Sequence, residues 1–215
     1  MSQPAQQLID GRRAKGEETR RIILRSAVSS IAKVGMGGTT LDSVAGIANV
    51  SRALVIFHFK SKNQLFKEVL EYLGRRFSEG WDHLVESSEG TTMEKIVRLV
   101  EYDIQFAVDN PEYIAAWHAF WGESKGSLLY HELSVPRDYR YHDELEKLLG
   151  VYVAEEGYDQ TELQSISDGL GAILFGLWVE FHLVPEKINF ERGLSAVLLF
   201  LSKVFPNNPL PLNNS

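Results

Sequence analysis

Residues 39–60, TTLDSVAGIANVSRALVIFHFK, hold the densest set of groups suited to a polyanion. Thr40 and Ser51 each open a short apolar-periodic segment. There a hydroxyl caps a helix and leaves backbone N–H groups and a positive dipole end to receive phosphate. Arg52 falls in the first turn of the second segment, and arginine to guanine is the commonest specific contact in a major groove. That second segment is too short to stand as a helix in water alone. It needs packing from Val44, Ala45 and Val50, and from Ile23, Ala27 and Ile31 upstream, which leaves its outer face for a partner. Two short helices around a tight turn make a helix-turn-helix, whose second helix enters the major groove.

The net charge of −7 conceals an asymmetry. Residues 1–62 carry ten Lys and Arg against four Asp and Glu, a net +6, while the remainder carries −13. A small basic head on a larger acidic body is the charge pattern of a polyanion-binding module. A solvated basic tail gives the same count, and Arg12, Arg13 and Lys15 fit that description.

Helices must position these groups, because alternating strand patterns are almost absent and helical periodicity runs throughout. The spacing predicts an all-α fold of about nine helices. One spans 17–34 and ends at Gly35, Gly37 and Gly38; two short ones follow Thr40 and Ser51; a long one runs from Ser61 to about Glu86. After a polar linker at Ser87–Thr91, helices are expected at 92–109, 112–125, 128–156, 161–184 and 190–204, with Pro136 interrupting the third of these. The expected organisation is a three-helix head at 1–60, a body at 61–206 and a disordered tail at 207–215.

Composition excludes other classes. There is no cysteine, hence no disulfide, thiolate nucleophile or Cys-ligated metal. The six histidines (58, 83, 118, 131, 142 and 182) show no His-x-x-x-His or Glu-x-x-His pairing, and no Gly-x-Ser-x-Gly or P-loop string occurs. No enzyme, metal site or cofactor is expected. The leading residues lack an apolar stretch, and Leu170–Val179 and Leu194–Leu201 fall short of the roughly 20 residues of a membrane span, so a cytoplasmic protein without membrane contact is expected.

In the body, Tyr113, Trp117, Phe120, Trp121 and Ser124 share one helix side. Two readings fit: an aromatic core stripe, or the wall of a ligand cavity. Carboxylates within apolar faces favour the second, since a buried charge is costly unless paired. Asp103 lies with Ile96, Leu99, Val100 and Ala107; Glu180 lies with Ile173, Leu177 and Val184. Arg98, Arg137 or Arg140 could satisfy either one structurally. Indole faces beside a carboxylate suit a cationic amine. The candidate ligand set is Asp103, Phe106, Tyr113, Trp117, His118, Phe120, Trp121, Trp178, Glu180 and Phe181, with His118 and His182 fitting a core role equally well. Gly169, Ala172 and Gly176 would let two helices approach closely, and Leu194, Val197, Leu198 and Leu201 mark the last helix as a dimer face or as core.

The block Glu18–Phe66 resembles the DNA-binding domain of TetR-type repressors. The matching residues are the Thr39-Thr40 pair, the small-residue helix with Ala45 and Ala48, the Val50-Ser51 turn, His58-Phe59, and the Ser61-Lys62 that opens the long helix. The resemblance implies that Thr40, Arg52, His58 and Lys62 touch phosphates or bases, with Ala53 and Leu54 against thymine methyls. Ala53 and Ile56 stand where the family commonly has Gly and a phosphate-binding Tyr, so Ile56, Phe57 or His58 takes the backbone-facing place. The candidate DNA-facing set is thus Thr39, Thr40, Ser51, Arg52, Ala53, Leu54, Phe57, His58 and Lys62, with Phe59 expected in the core. AWHAFWGESKGSLL (116–129) and DGLGAILFGLWVE (168–180) resemble, more loosely, stretches of the choline-responsive BetI-type repressors.

The expected function is a homodimeric repressor that reads a palindromic double-stranded operator and is released by a small-molecule effector. The resemblance points to a cationic amine such as choline. The competing expectation is a helical-bundle carrier or enzyme with a vestigial DNA-binding module. Dimerisation follows from the mechanism, because one short helix covers too few base pairs and a twofold protein reads half-sites about 34 Å apart.

Overall fold

The structure, a computed structural model, describes residues 3–86, 89–123, 128–133 and 135–207. Among the described residues there are ten α-helices and a 3-10 turn, and no strand. Helix α1 (Gln3–Gly38) begins well before residue 17, so Arg12, Arg13 and Lys15 belong to a helix and not to a tail. Its first turns are polar and offer no apolar period from which a helix could be read. Gly35, at φ 70°, breaks the last turn, a backbone conformation glycine adopts without penalty.

Local chemistry fixes the next two helices. In front of α2 (Leu41–Ala48), the Ser43 N–H donates to Thr40 Oγ1 at 3.0 Å and the Thr40 N–H to Ser43 Oγ at 2.9 Å, a closed capping box. Asn49 at φ 53° ends α2, and the Leu54 N–H donates to Ser51 Oγ at 3.2 Å to open α3 (Arg52–Phe59). Helix α4 (Lys62–Glu86) buries Leu65, Val69, Leu73, Phe77 and Trp81 along one side.

The body comprises α5 (Thr92–Asp109), α6 (Pro111–Glu123), α7 (Leu128–Leu133), α8 (Val135–Glu155), a 3-10 turn at Gln160–Glu162, α9 (Leu163–Leu183) and α10 (Phe190–Val204). The segment expected at 128–156 is two helices, with Pro136 in the first turn of α8, where a proline costs no hydrogen bond. Ser124 and the tail beyond Asn207 lie outside the described residues. Asn207, the first residue of the expected tail, donates its N–H to the Tyr158 hydroxyl at 3.2 Å.

One core runs through the molecule. Ile23, Ala27 and Ile31 of α1 are buried with Val44 of α2 and with Val55 and Phe59 of α3, and α1 also packs along α6 and α4. Gln160–Leu183 is long and apolar enough, by length and composition, to cross a membrane. In the fold its Leu170, Leu174, Leu177, Trp178 and Phe181 belong to the core.

Gly80 of α4 sets the distance to α5, because a Cβ there would stand 2.3 Å from the Tyr102 ring. That contact brings Phe77 and Trp81 of α4 to the same interior as Asp103 of α5. The Tyr102 hydroxyl donates to the Phe77 carbonyl at 2.6 Å. Gly80→Ala is expected to force the ring out and cost about 1–3 kcal/mol, read as a lower denaturant midpoint at unchanged m-value. A midpoint equal to wild type would show that Tyr102 moves freely.

Candidate functional site

The head presents α3 with Val55 and Phe59 buried and the rest of its surface open or half-open. Arg52, Ala53 and Phe57 are exposed, and Phe57, at 67% accessibility, is a large apolar side chain with the Lys60 ammonium 5.4 Å from its ring centre and the His58 ring edge-on at 5.3 Å. Arg52 pairs with Asp42 of α2 at 3.2 Å; both side chains are exposed, so the pair is loose. Leu54 and His58 are half-buried. Burial and the neighbouring Arg20 push the His58 imidazole below its usual value, which favours a neutral ring. Half-buried Lys62 holds its ammonium 5.1 Å from the Phe66 ring.

Thr40 and Ser51 are exposed, with their hydroxyl oxygens accepting the capping bonds described above. Thr39 departs from expectation. It is fully buried, and its hydroxyl donates to the Gly35 carbonyl at 2.8 Å and lies 3.1 Å from Ser30 Oγ. Of the Thr-Thr pair, the first closes the inside of the turn and only the second reaches the surface. Phe59 is in the core, beneath the Arg20 guanidinium at 5.3 Å.

The body holds a cavity of about 490 Å³, open to solvent, lined from α4, α5, α6, α8 and α9. All four tryptophans of the chain line it: Trp81, Trp117, Trp121 and Trp178. Phe77, Tyr141 and Phe175 add to the aromatic wall, and three carboxylates, Asp103, Asp138 and Asp168, face it. Among its described lining residues there is no Lys or Arg, and His142 is the one basic group. Trp178 donates its indole N–H to Asp103 at 2.8 Å. Burial pushes the Asp103 carboxyl from 3.8 up to about 7, partly offset by that bond.

The expected ligand residues therefore divide. Asp103, Trp117, Trp121 and Trp178 line the cavity. Phe106 lies behind it, its ring stacked 6.3 Å from Trp178. Tyr113 is turned away, its hydroxyl 2.9 Å from that of Tyr72, and Phe120 packs edge-on against Phe66 at 6.2 Å. Phe181 packs toward Gly193 of α10. Glu180 is exposed on the far side of α9 and is not a cavity carboxylate. His118 stands behind Trp121, its ring 4.8 Å from that indole and 4.7 Å from His182. Burial and His182 push it down to about 4, so it is neutral at pH 7. Asp138, Tyr141, His142 and Asp168 are lining residues outside the expected ligand set, because their facing depends on how α8 and α9 pair.

The expected dimer residues divide too. Val197, Leu198 and Leu201 are buried within the protomer, Leu194 is half-buried, and the open side of α10 carries Leu199 at 59% accessibility. On α9, Ala172 is exposed and also lines the cavity, and a Cβ at Gly176 would meet nothing within 4 Å. Gly169 instead admits Phe200 of α10, whose ring would lie 3.1 Å from a Cβ.

Comparison with known proteins gives consistent results. A family model described as "Bacterial regulatory proteins, tetR family" matches residues 23–69, and one described as "BetI-type transcriptional repressor, C-terminal" matches residues 93–206. The chain is 23% identical over 177 residues to the HTH-type transcriptional regulator BetI of Pectobacterium carotovorum subsp. carotovorum (strain PC1), covering 82% of this chain and 88% of that one. A transcriptional regulator from Rhodococcus sp. Rha1 superposes with a TM-score of 0.74 at 17% identity, covering 89% of this chain and 98% of that one. A regulator from Saccharomonospora viridis, solved in complex with choline, superposes with a TM-score of 0.74 at 19% identity, covering 86% and 96%.

The raised Asp103 value has a consequence for stability. The neutral carboxyl is favoured in the fold, so its contribution is complete below 3.8 and is lost as pH rises through about 7. Asp103→Asn keeps an acceptor for the Trp178 N–H and removes the ionisation. At pH 8 the variant is expected to melt about 2–4 °C above wild type, the effect of roughly 1 kcal/mol in a chain of this size. The gap should close as the pH falls toward 4. A variant less stable than wild type at pH 8 would show that the carboxylate is satisfied where it lies.

Proposed function

The chain belongs to the TetR family of bacterial regulatory proteins, with a BetI-type C-terminal part, and on that premise we propose a dimeric repressor released from its operator by a small organic cation. It is a transcriptional regulator with a DNA-binding helix-turn-helix. The observation that carries the effector reading is the Asp103 carboxylate, enclosed in a cavity lined by every tryptophan of the chain and by no described Lys or Arg. An organic ammonium neutralises that charge and meets indole faces, a contact that gains when water is excluded. The choline found with the Saccharomonospora viridis regulator supports the same class.

Exposed Arg52, Ala53 and Phe57 would face the major groove, with Phe57 against thymine methyls and Thr40, His58 and Lys62 near phosphates. The free sides of α9 and α10, with Gly176 and Leu199, would meet a second copy and set two heads one helical turn apart. Helix α6 supplies the route between cavity and head. It brings Trp117 and Trp121 to the effector and packs along α1, where Ser29 Oγ donates to Glu112 at 3.1 Å. Tyr113 of α6 meets Tyr72 of α4 at 2.9 Å, and the Arg25 guanidinium of α1 is held charged by both hydroxyls. An effector shifts the heads only through its differential affinity for the two arrangements; a hundredfold preference is worth about 2.7 kcal/mol.

Retardation of palindromic fragments tests the DNA reading. Arg52→Ala is expected to weaken binding by about 1–3 kcal/mol and relax base preference, whereas Lys62→Ala weakens all sequences alike and lowers the salt slope by about one. Leu199→Glu should leave a folded monomer by sedimentation, with operator binding lost. Wild-type retardation by all three variants would overturn the assignment. For the effector, calorimetry with choline should show affinity rising with pH through about 7, as Asp103 loses its proton. Binding of an apolar acid in place of any cation would defeat the proposal.

A further inference from the structure

Arg12, Arg13 and Lys15 add to the basic charge of the head but have no part in the groove contacts above. They stand on a stretch of α1 that runs ahead of the core. Ile23 is the first buried residue of α1 among those described, and Arg13, Ala14, Lys15, Glu17 and Glu18 are all exposed. A Cβ at Gly11 or Gly16 would meet nothing within 4 Å. Glycines weaken a helix interior, and no close packing at those two positions offsets them.

Side-chain contacts fix where this stretch emerges. Arg20 covers Phe59 at the end of α3 and pairs with Glu68 at the start of α4, and the charges of Glu17 and Arg20 both act on the His58 ring. Helix α1 therefore leaves the core beside the carboxyl end of α3. Arg13 lies four residues ahead of Glu17 and seven ahead of Arg20. At helical spacing it continues the same side of α1, about 10 Å beyond Arg20.

Charge is the second, independent observation. Among the described arginine side chains of the head, Arg20 is paired with Glu68, Arg21 with Glu18 and Arg52 with Asp42, and Arg25 is held by the Tyr72 and Tyr113 hydroxyls. Arg13 meets no carboxylate among the described contacts. Exposed Lys60 caps α3 at the same end, its ammonium donating to the Phe57 carbonyl at 2.9 Å. A helix carboxyl end carries negative partial charge, and Glu17 adds to it. Phosphate is repelled there unless cations outweigh both, and Arg13 and Lys60 supply them.

We propose that the leading part of α1 makes a second contact with duplex DNA, in which Arg13, with Lys60 at the end of α3, holds phosphates flanking the segment that α3 reads. This rests on the DNA-facing assignment of α3 and adds a contact that positions the head without reading sequence. Lys15, two residues on and so about 200° round the helix, lies on the opposite side and takes no part.

The test uses the full-length protein and a fluorescein-labelled, mixed-sequence duplex of about 30 base pairs, because a phosphate contact needs no operator. Anisotropy titrations between roughly 50 and 200 mM salt give the slope of log affinity against log salt. Arg13→Gln and Lys60→Gln should each lower that slope by about 0.9, and together they should make the loss of affinity over this range about tenfold smaller. Lys15→Gln removes the same charge from the other side of α1 and should keep the wild-type slope. Melting curves confirm that each variant is folded. A wild-type slope in Arg13→Gln overturns the α1 contact, and one in Lys60→Gln removes that residue from it. An equal fall in Lys15→Gln also overturns it, since the effect would then be one of diffuse charge. If the wild-type protein leaves the duplex free even at the lowest salt, the DNA-facing assignment of α3 fails as well.

Discussion

A single carboxylate drawn partly out of water constrains the rest of this body. Asp103 is half-buried among the indoles, where an ionised group loses part of the solvation it has in the unfolded chain. The fold supplies one hydrogen bond from Trp178 and no salt bridge among the described contacts. A carboxyl that exists only for structure is normally paired with Arg or Lys or hydrogen-bonded on both oxygens. Among the described residues no matching charge meets Asp103, and it lines a volume walled by indoles.

That constraint explains the surrounding aromatic mass. Phe77 lies within 6.4 Å, ring centre to ring centre, of Trp81, Trp117, Trp178 and Tyr141, so the wall is a mutually supported shell rather than isolated rings. Phe106 backs Trp178, and His118 backs Trp121. Aromatic packing of this kind holds a cavity open against collapse, because flattening it would break edge-to-face contacts worth about 0.5–1.5 kcal/mol each. The helix approach at Gly80 and Tyr102 then fixes the separation of the α4 and α5 sides.

How much of this could be read from the residues depends on whether the signal is local. Caps are local, so Thr40, Ser51, Asn49 and the glycine break at Gly35 place the head's helices from sequence. Asp103 was legible as a carboxylate at a periodic apolar position of a strongly amphipathic helix. Glu180 failed the same reasoning. On α9 the apolar residues extend around most of the helix, so a shared apolar face does not say which side is inside; Phe175, Leu183 and Glu180 are out while Leu177 and Phe181 are in. Helix α10 repeats the ambiguity, with Val197, Leu198 and Leu201 in and Leu199 out. Asp138, His142 and Asp168 carry no local mark, because their role exists only once α8 lies beside α9. Helix α1 was read too short for the opposite reason, since a polar helix has no period to betray it.

The coupling of cavity to head follows from where α6 lies. Its Trp117 and Trp121 face the cavity, while Glu112 and Tyr113, at its start, touch α1 and α4. Helix α1 is tied to α4 a second time through the Arg20–Glu68 ion pair, and Arg20 also covers Phe59 at the end of α3. Helix α3 is thus held by α2 and α4, with Arg20 of α1 over its end, and α6 contacts both α1 and α4. Under the proposed reading, a cation that drew the indoles inward would displace a helix whose other end lies on the two elements that hold α3. Coupling between sites is commonly only 1–3 kcal/mol, which a few such contacts can carry. The charge distribution works in the same direction: with +6 on the first 62 residues and −13 on the rest, a polyanion attracts the head and repels the body. Under the proposed reading, a modest reorientation of the heads would bring DNA near acidic surface as well as break groove contacts, so the electrostatic field would add to what the helix movement begins.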